Sequence, residues 1–305
     1  MTRQLKLGTR GSPLALFQAN LVARLLREAH PNLLVDIRTV KTSGDRIQDR
    51  PLADVGGKGL FTKEIERGLL DGDLDIAVHS MKDMETFLPD GLDIVAVLPR
   101  EDPRDAFLSR DGASLDDLPA GARIGTASVR RQAQILHRRP DLTVVPFRGN
   151  VETRLRKLGE GEADATLLAY AGLKRLERED VITGVFDTDV MLPAAAQGAI
   201  GVEARADDTA VLDLLAALDD STTSLCIAAE RAVLAALDGS CRTPIGAFAT
   251  LDTGSDTVSL QGLVARPDGS ELHRLSDAAP AAEAVAMATE MGNRLRAKMA
   301  PGFFE

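Results

Sequence analysis

The stretch ARIGTASVRRQAQILHRRPDLTVVPFRGNVETRLRKL, residues 122–158, decides the reading of the fold. Two short runs with strand character, Ala122 to Thr126 and Leu142 to Val145, alternate with two segments of helical period, Val129 to Arg138 and Val151 to Leu158. Ser128 and Asn150 stand where helix N-caps belong. Such alternation predicts an α/β domain of the doubly wound kind. The stretch also holds eight arginines and one lysine against Asp141 and Glu152, a local net of +7 within a chain of net charge -10. Arg130 and Arg131 fall in the first turn after Ser128, and Arg148 stands just ahead of Gly149 and Asn150. A cation is disfavoured at the positive end of a helix unless an anion sits there too, drawing N–H groups and guanidinium together. Arg138, Arg139, Arg156 and Lys157 read instead as a solvated basic face.

Downstream, Ala163 to Ala169 gives another strand, followed by a helix to about Glu179. Ala199 to Ala204 and a helix over residues 207–218 bring no new alternating set, so they are expected to return to an earlier sheet, and paired crossings suit a hinge. The last part, with a helix over 222–237, strands near 245–251 and 258–264 and a helix near 281–298, predicts a small α/β domain. Upstream, Gln4 to Thr9 alternates as a strand, and Arg10-Gly11-Ser12-Pro13 reads as turn, N-cap and N1 proline of a helix to Ala29. Leu33 to Val40 is the next strand. Residues 46–58, with their glycines around Lys58, predict a mobile loop before a helix over 60–70, and Lys58 is a candidate lid residue over an anionic ligand. The glycine and lysine spacing does not match a Walker loop. Asp75 to His79 is a short buried strand with Ser80-Met81-Lys82-Asp83 at its carboxyl end, where ligands bind in open α/β sheets. After a strand over 92–98, residues 100–105 read as a charged, proline-broken interdomain crossing. The expected domains are 1–99 with 199–218, then 100–198, then 219–305.

Composition narrows the function. At 305 residues the chain suits two or three domains. With no Trp and a single Tyr, Tyr170, a base-stacking surface is not expected, and the acidic balance argues against nucleic acid. The start of the sequence has no long apolar segment and no run is long enough to span a bilayer, so the expectation is a cytoplasmic protein without a membrane partner. Four scattered histidines and two cysteines lack metal-ligand spacing, and no metal is expected. Cys226 falls on the apolar face of a helix and reads as a buried, inert thiol. Cys241 follows a predicted helix end at Asp238-Gly239 and neighbours Arg242, whose charge would raise its thiolate fraction.

The segments TRGSPLAL, TSGDRI, DVGGKGLFTKEIE, DIAVHSMKD, REDPRDAF, IGTASVRRQAQ, FRGNVETRL, LAYAGLKRL, LPAAAQGAIGVE and DGSCRTPIG together resemble those of the hydroxymethylbilane synthases, or porphobilinogen deaminases, over essentially the whole length. The resemblance implies three α/β domains, the first two hinged like type II periplasmic binding proteins with the active site in their cleft. It implies a transferase of porphyrin and tetrapyrrole biosynthesis that adds four porphobilinogen units to a dipyrromethane, one per chain, joined by a thioether to Cys241, and then releases hydroxymethylbilane by hydrolysis. The growing chain then reaches six rings and twelve carboxylates, which accounts for clustered arginines. Asp83 is the implied catalytic carboxylate, placed to stabilise the cation left when ammonia departs. Ser80, Lys82, Asp83, Thr126, Ser128, Arg130 and Arg131 are the implied cofactor-binding residues. Arg10, Ser12, Arg148, Gly149, Arg154 and Gln197 are implied to bind substrate, and Lys58 with Phe61 to form the lid. A monomer is expected. Met84-Glu85, Ala127, Ser240 and Arg242 depart from the family pattern, which bears on one hydrogen bond and the cofactor loop. A non-enzymatic hinged anion-binding module is the alternative from a different class.

Overall fold

The computed structural model describes residues 3–46, 59–240 and 243–304. The chain forms two compact units, one from residues 1–101 and 199–224 and the other from 102–198 and 225–305. Unit 1 contains β1 (Arg3–Arg10), α1 (Pro13–Ala29), β2 (Leu33–Val40), the single turn α2 (Ser43–Arg46), α3 (Lys63–Leu70), β3 (Ile76–Ser80) and β4 (Leu92–Val97). The later β10 (Ile200–Arg205) and α7 (Thr209–Leu215) complete it. Its sheet runs β2-β1-β3-β10-β4; β1 is parallel to β2 and β3, while β10 runs antiparallel to both neighbours. The expected return of residues 199–204 to the first sheet is therefore observed. Alternate residues of β1, Leu5 and Leu7, point with Ile76 and Val202 onto Val22 and Leu26 of α1. Burying one such leucine stabilises the fold by about 1.5–3 kcal/mol.

Unit 2 repeats the plan. It contains β5 (Asp105–Ser109), β6 (Arg123–Gly125), α4 (Val129–Arg138), β7 (Thr143–Val145), α5 (Val151–Gly159), β8 (Ala165–Ala169), α6 (Tyr170–Arg175) and β9 (Gly184–Val185). The order β7-β6-β8-β5-β9 matches that of unit 1 position for position, with β5 as the antiparallel strand. Two readings need correction here. Residues 100–105 are not wholly a connection, because Asp105 opens β5, and β5 and β9 were not foreseen. A strand beginning on a buried aspartate breaks the apolar pattern, and a two-residue strand carries no period at all.

The remaining elements are α8 (Ser221–Ala236), β11 (Ile245–Asp252), β12 (Thr257–Ala265), β13 (Leu272–Pro280) and α9 (Ala284–Arg296). The three strands form an antiparallel sheet of their own, and β13, whose sequence is largely polar, is also new relative to expectation. One core of this layer gathers Ala229, Val233, Leu260, Met291 and Leu295; Cys226 is buried beside it. A second cluster joins Leu263 and Ala265 of β12 to Ala133 of α4 and to Leu192. Gln132 Nε2 donates to Pro267 O at 3.0 Å and the Ala247 N–H to Pro193 O at 3.1 Å, so this sheet packs within unit 2. The fold is thus α/β with three sheets.

Candidate functional site

In unit 1 the site grows from the carboxyl ends of β1 and β3. β1 passes into α1 through Thr9, buried, and Ser12, whose Oγ accepts from Ala15 N at 3.3 Å as the N-cap, with Pro13 at N1. Gln18, on the inner face of α1, donates from Nε2 to Ser80 Oγ at 2.8 Å and fixes the end of β3. The next turn is anchored by Met81, buried, whose N–H donates to Ala199 O at 3.1 Å. Anchoring Met81 leaves Lys82 half-buried and Asp83 exposed. Arg10 lies over the Phe61 ring, 4.2 Å from its centroid, a cation–π contact. Arg10, Ser12, Phe61, Ser80 and Asp83, all implied by the resemblance, line one pocket together with Gln18, Thr62 and His79. Gln18 was missed by the sequence reading. Its signal is a polar side chain in register with Val22 and Leu26, at i+4 and i+8 on the apolar face.

In unit 2 the matching corner ends β6. Thr126 is buried and its Oγ1 accepts from Ser128 N at 3.1 Å, while Ser128 caps α4 by accepting from Arg131 N at 3.4 Å. Arg130 and Arg131 turn inward and are 4% and 5% exposed. Arg131 donates from Nε and Nη2 to Asp105 Oδ1 at 3.1 and 2.7 Å, and from Nη1 to Leu167 O at 2.9 Å. Arg130 Nη2 lies 2.8 Å from Asp105 Oδ2, and its Nη1 donates to Leu192 O at 2.7 Å. Gln197, 1% exposed, completes the cluster by donating to Asp105 Oδ1 at 3.0 Å and Pro103 O at 2.7 Å. Burial would raise the Asp105 pKa, but the two guanidiniums and the hydrogen bonds outweigh it and hold the carboxylate far below its ordinary range. Burial lowers the Arg130 pKa, with Asp105 opposing. The opposite charge for these two arginines is therefore an internal aspartate that the sequence reading assigned to a connection. Two guanidiniums against one carboxylate leave a buried net positive charge, and Arg130 Nε has no hydrogen-bond partner.

At the end of β7, Gly149 has φ +123°, and a Cβ there would lie 2.5 Å from Thr153 Cγ2, so glycine is required. The turn sets Asn150 as the cap of α5, its Oδ1 accepting from Thr153 N at 2.9 Å. Arg154 Nε donates to Gly149 O at 2.9 Å, and Arg148 is half-buried beside them in sequence. The presumed solvated cations do pair at the surface, Arg138 with Asp116 at 2.7 Å and Arg139 with Asp141 at 2.7 Å. α8 ends ahead of Asp238-Gly239, where Asp238 takes a positive φ of 50°. Ser240 N donates to Thr243 Oγ1 at 2.9 Å and Thr243 Oγ1 donates to Ser240 O at 2.7 Å. Cys241, Arg242 and Lys58 lie outside the described residues, and so does nearly all of the expected loop over 46–58. No group of acidic, histidine or cysteine side chains among the described residues is arranged to hold a metal ion, and no described helix is long and apolar enough to cross a membrane.

Residues 5–213 match the family model for the dipyrromethane cofactor-binding domain of porphobilinogen deaminase, and residues 224–300 match its C-terminal domain. The porphobilinogen deaminase of Nitrobacter hamburgensis is 54% identical over 301 residues, covering 98% of this chain and 94% of that protein. The chloroplastic porphobilinogen deaminase of Oryza sativa is 52% identical over 307 residues, covering 99% and 86%. Among solved structures, the periplasmic VFT2 domain of Bordetella pertussis BvgS is 16% identical with a TM-score of 0.41, over 71% of this chain and 86% of that one. Fold and family models together define an α/β enzyme built on a cofactor-binding domain. The chain belongs to the porphobilinogen deaminase family.

Proposed function

We propose that this chain polymerises four porphobilinogen units onto a dipyrromethane held by a thioether to Cys241, with loss of ammonia at each addition, and then releases hydroxymethylbilane by hydrolysis. Asp83 is its catalytic carboxylate. The observation that carries the reading is the convergence of Arg10, Ser12, Ser80 and Asp83 on one pocket at the strand ends of unit 1. That donor set fits the group: guanidinium and hydroxyls suit the acetate and propionate carboxylates, and a carboxylate suits pyrrole N–H groups. Dipyrromethane, when bound, supplies the nucleophilic pyrrole carbon from which the chain grows. Arg10 orients a carboxylate from its seat over Phe61, with Ser12 and Ser80 adding hydroxyl donors and Lys82 a second cation. Asp83, exposed at the turn after β3, stabilises the positive charge that develops as ammonia leaves porphobilinogen and steers the proton transfers that follow. In unit 2, Arg148 and Arg154 are the carboxylate-binding arginines around the glycine turn, with Gly149 backbone beside them. Arg130, Arg131, Thr126, Ser128 and Gln197 form the buried base of the α4 start, whose net positive charge favours an anion there. Lys58 and Phe61 act as the lid pair. The protein works as a monomer in the cytoplasm, and the three domains divide near residues 99, 198 and 218. A non-enzymatic anion-binding role is not favoured, because both family models and both relatives are those of the deaminase.

Intact mass spectrometry tests this reading. The wild type should exceed its sequence mass by one dipyrromethane and Cys241→Ser should not; equal masses relative to sequence, or an adduct mapped to Cys226, would overturn it.

A further inference from the structure

Directly behind the unit 1 pocket lies a buried ionic cluster that no step above uses. His79 Nε2 sits 3.0 Å from Glu203 Oε2, and the two side chains are 5% and 0% exposed. Glu66 of α3, 6% exposed, faces the same cluster. Glu66 Oε1 and Glu203 Oε1 are both buried, and both lack a hydrogen-bond partner. Two ionised carboxylates in that arrangement would repel each other out of reach of water. One proton shared by the pair removes the repulsion, since a protonated carboxyl donates and a carboxylate accepts.

The matched positions of unit 2 show that this fold does not require the cluster. Ile200 pairs with Ser80 and Glu203 follows three residues later; Asp105 pairs with Ala169 and Leu108 follows three residues later. His79 precedes Ser80 as Leu168 precedes Ala169. Leu108 and Leu168 are buried and apolar. The same sheet position thus closes on leucines in one unit and on a carboxylate–imidazole pair in the other, where His79 and Thr62 line the pocket of Asp83.

We propose that Glu66 and Glu203 share one buried proton, and that this pair, acting through His79, is a positioning device that sets the charge at the base of the Asp83 pocket. Its link to turnover rests on the function proposed above; the shared proton itself does not. Among the described residues, the charged groups facing Glu66 are Glu203 on β10, His79 on β3 and Glu85 in the turn after β3. Glu85, at one of the positions where this chain departs from the family pattern, accepts from Gly59 N at 2.7 Å. Burial first, then the Glu203 and Glu85 charges, raise the Glu66 pKa, opposed by Thr62 and His79. Burial and the neighbouring carboxylates thus favour the protonated form of Glu66.

Three readouts on the purified holoenzyme test this. Difference infrared spectra of wild type minus Glu66→Gln at neutral pH should show loss of one protonated-carboxyl carbonyl band, and its absence overturns the shared proton. The urea midpoint should agree. A raised folded pKa makes wild-type stability fall as pH rises from 4.5 through the folded value. Glu66→Gln, which cannot ionise, should lose that decline, and an unchanged decline also counts against the proposal. Finally, the pH profile of kcat should change shape in Glu66→Gln, whereas a purely structural role would scale it uniformly. Loss of the band with a uniformly scaled profile would overturn the positioning role alone. A chain without porphobilinogen turnover would show itself as absent wild-type activity while the band remained measurable.

Discussion

The two strand-to-helix corners, Thr9 to Ala15 and Thr126 to Arg131, are built on the same backbone and filled with opposite chemistry. Both follow the middle parallel strand of a five-stranded sheet, both bury a threonine, and both cap the helix with a serine. Counting from the caps, Leu14 and Ala15 in unit 1 stand where Arg130 and Arg131 stand in unit 2. Opposite them in register, Ile200 of β10 stands where Asp105 stands in β5. Unit 1 leaves this corner to Leu14 and Ala15, which line the pocket beside Arg10. Unit 2 closes it with an ion cluster. Three positions further along the crossing strand the roles reverse, with Glu203 in unit 1 and Leu108 in unit 2. One topology thus accommodates a buried charge at either of two depths: Asp105 finds its partners on the helix α4, and Glu203 finds its partner on the strand β3.

The largest effect expected from this contrast is at Asp105. Asp105→Asn leaves two buried guanidiniums without a counter-charge and should cost about 3–5 kcal/mol, read as a lower urea midpoint. Its folded pKa is depressed, so the stabilisation is present above the unfolded value of 3.8 and is lost as pH falls through the folded one. The wild type should therefore lose stability in acid more steeply than Asp105→Asn. A variant as stable as wild type at neutral pH would break the comparison, because the ion cluster would then be dispensable like its apolar counterpart.

Asp83 gives the converse case. It is exposed, so Asp83→Asn should leave the urea midpoint in place, retain the bound pyrrole in the intact mass, and lower kcat by roughly a hundredfold. Wild-type turnover in this variant would reduce Asp83 to a turn residue. The smallest effect should come from the caps. Ser12→Ala and Ser128→Ala should each lose about 0.5–2 kcal/mol by thermal unfolding, and by similar amounts, since their cap bonds are 3.3 and 3.4 Å long. A markedly larger loss at Ser128 would show that this cap also holds the Arg131–Asp105 geometry.

By itself the sequence determined where the helices begin and most of the strands. Helix starts are local events: Ser12-Pro13, Ser128 and Asn150 satisfy free N–H groups within three residues, so their signal lies in the residues themselves. It also placed Arg10, Ser12, Ser80 and Asp83 at strand ends, because a turn and helix start follow Thr9 and the short buried run of β3 stops at Ser80. Only the tertiary structure decided what the charges do. Asp105 meets Arg131 from 26 residues away, and Glu203 meets His79 from 124 residues away, so neither pairing leaves a periodic trace in the chain. A polar side chain on an apolar face, such as Gln18 or Glu203, shows that a partner is needed. Which partner it finds depends on the antiparallel strand inserted beside β3 or β8, and the direction and register of that strand are set by packing across the sheet.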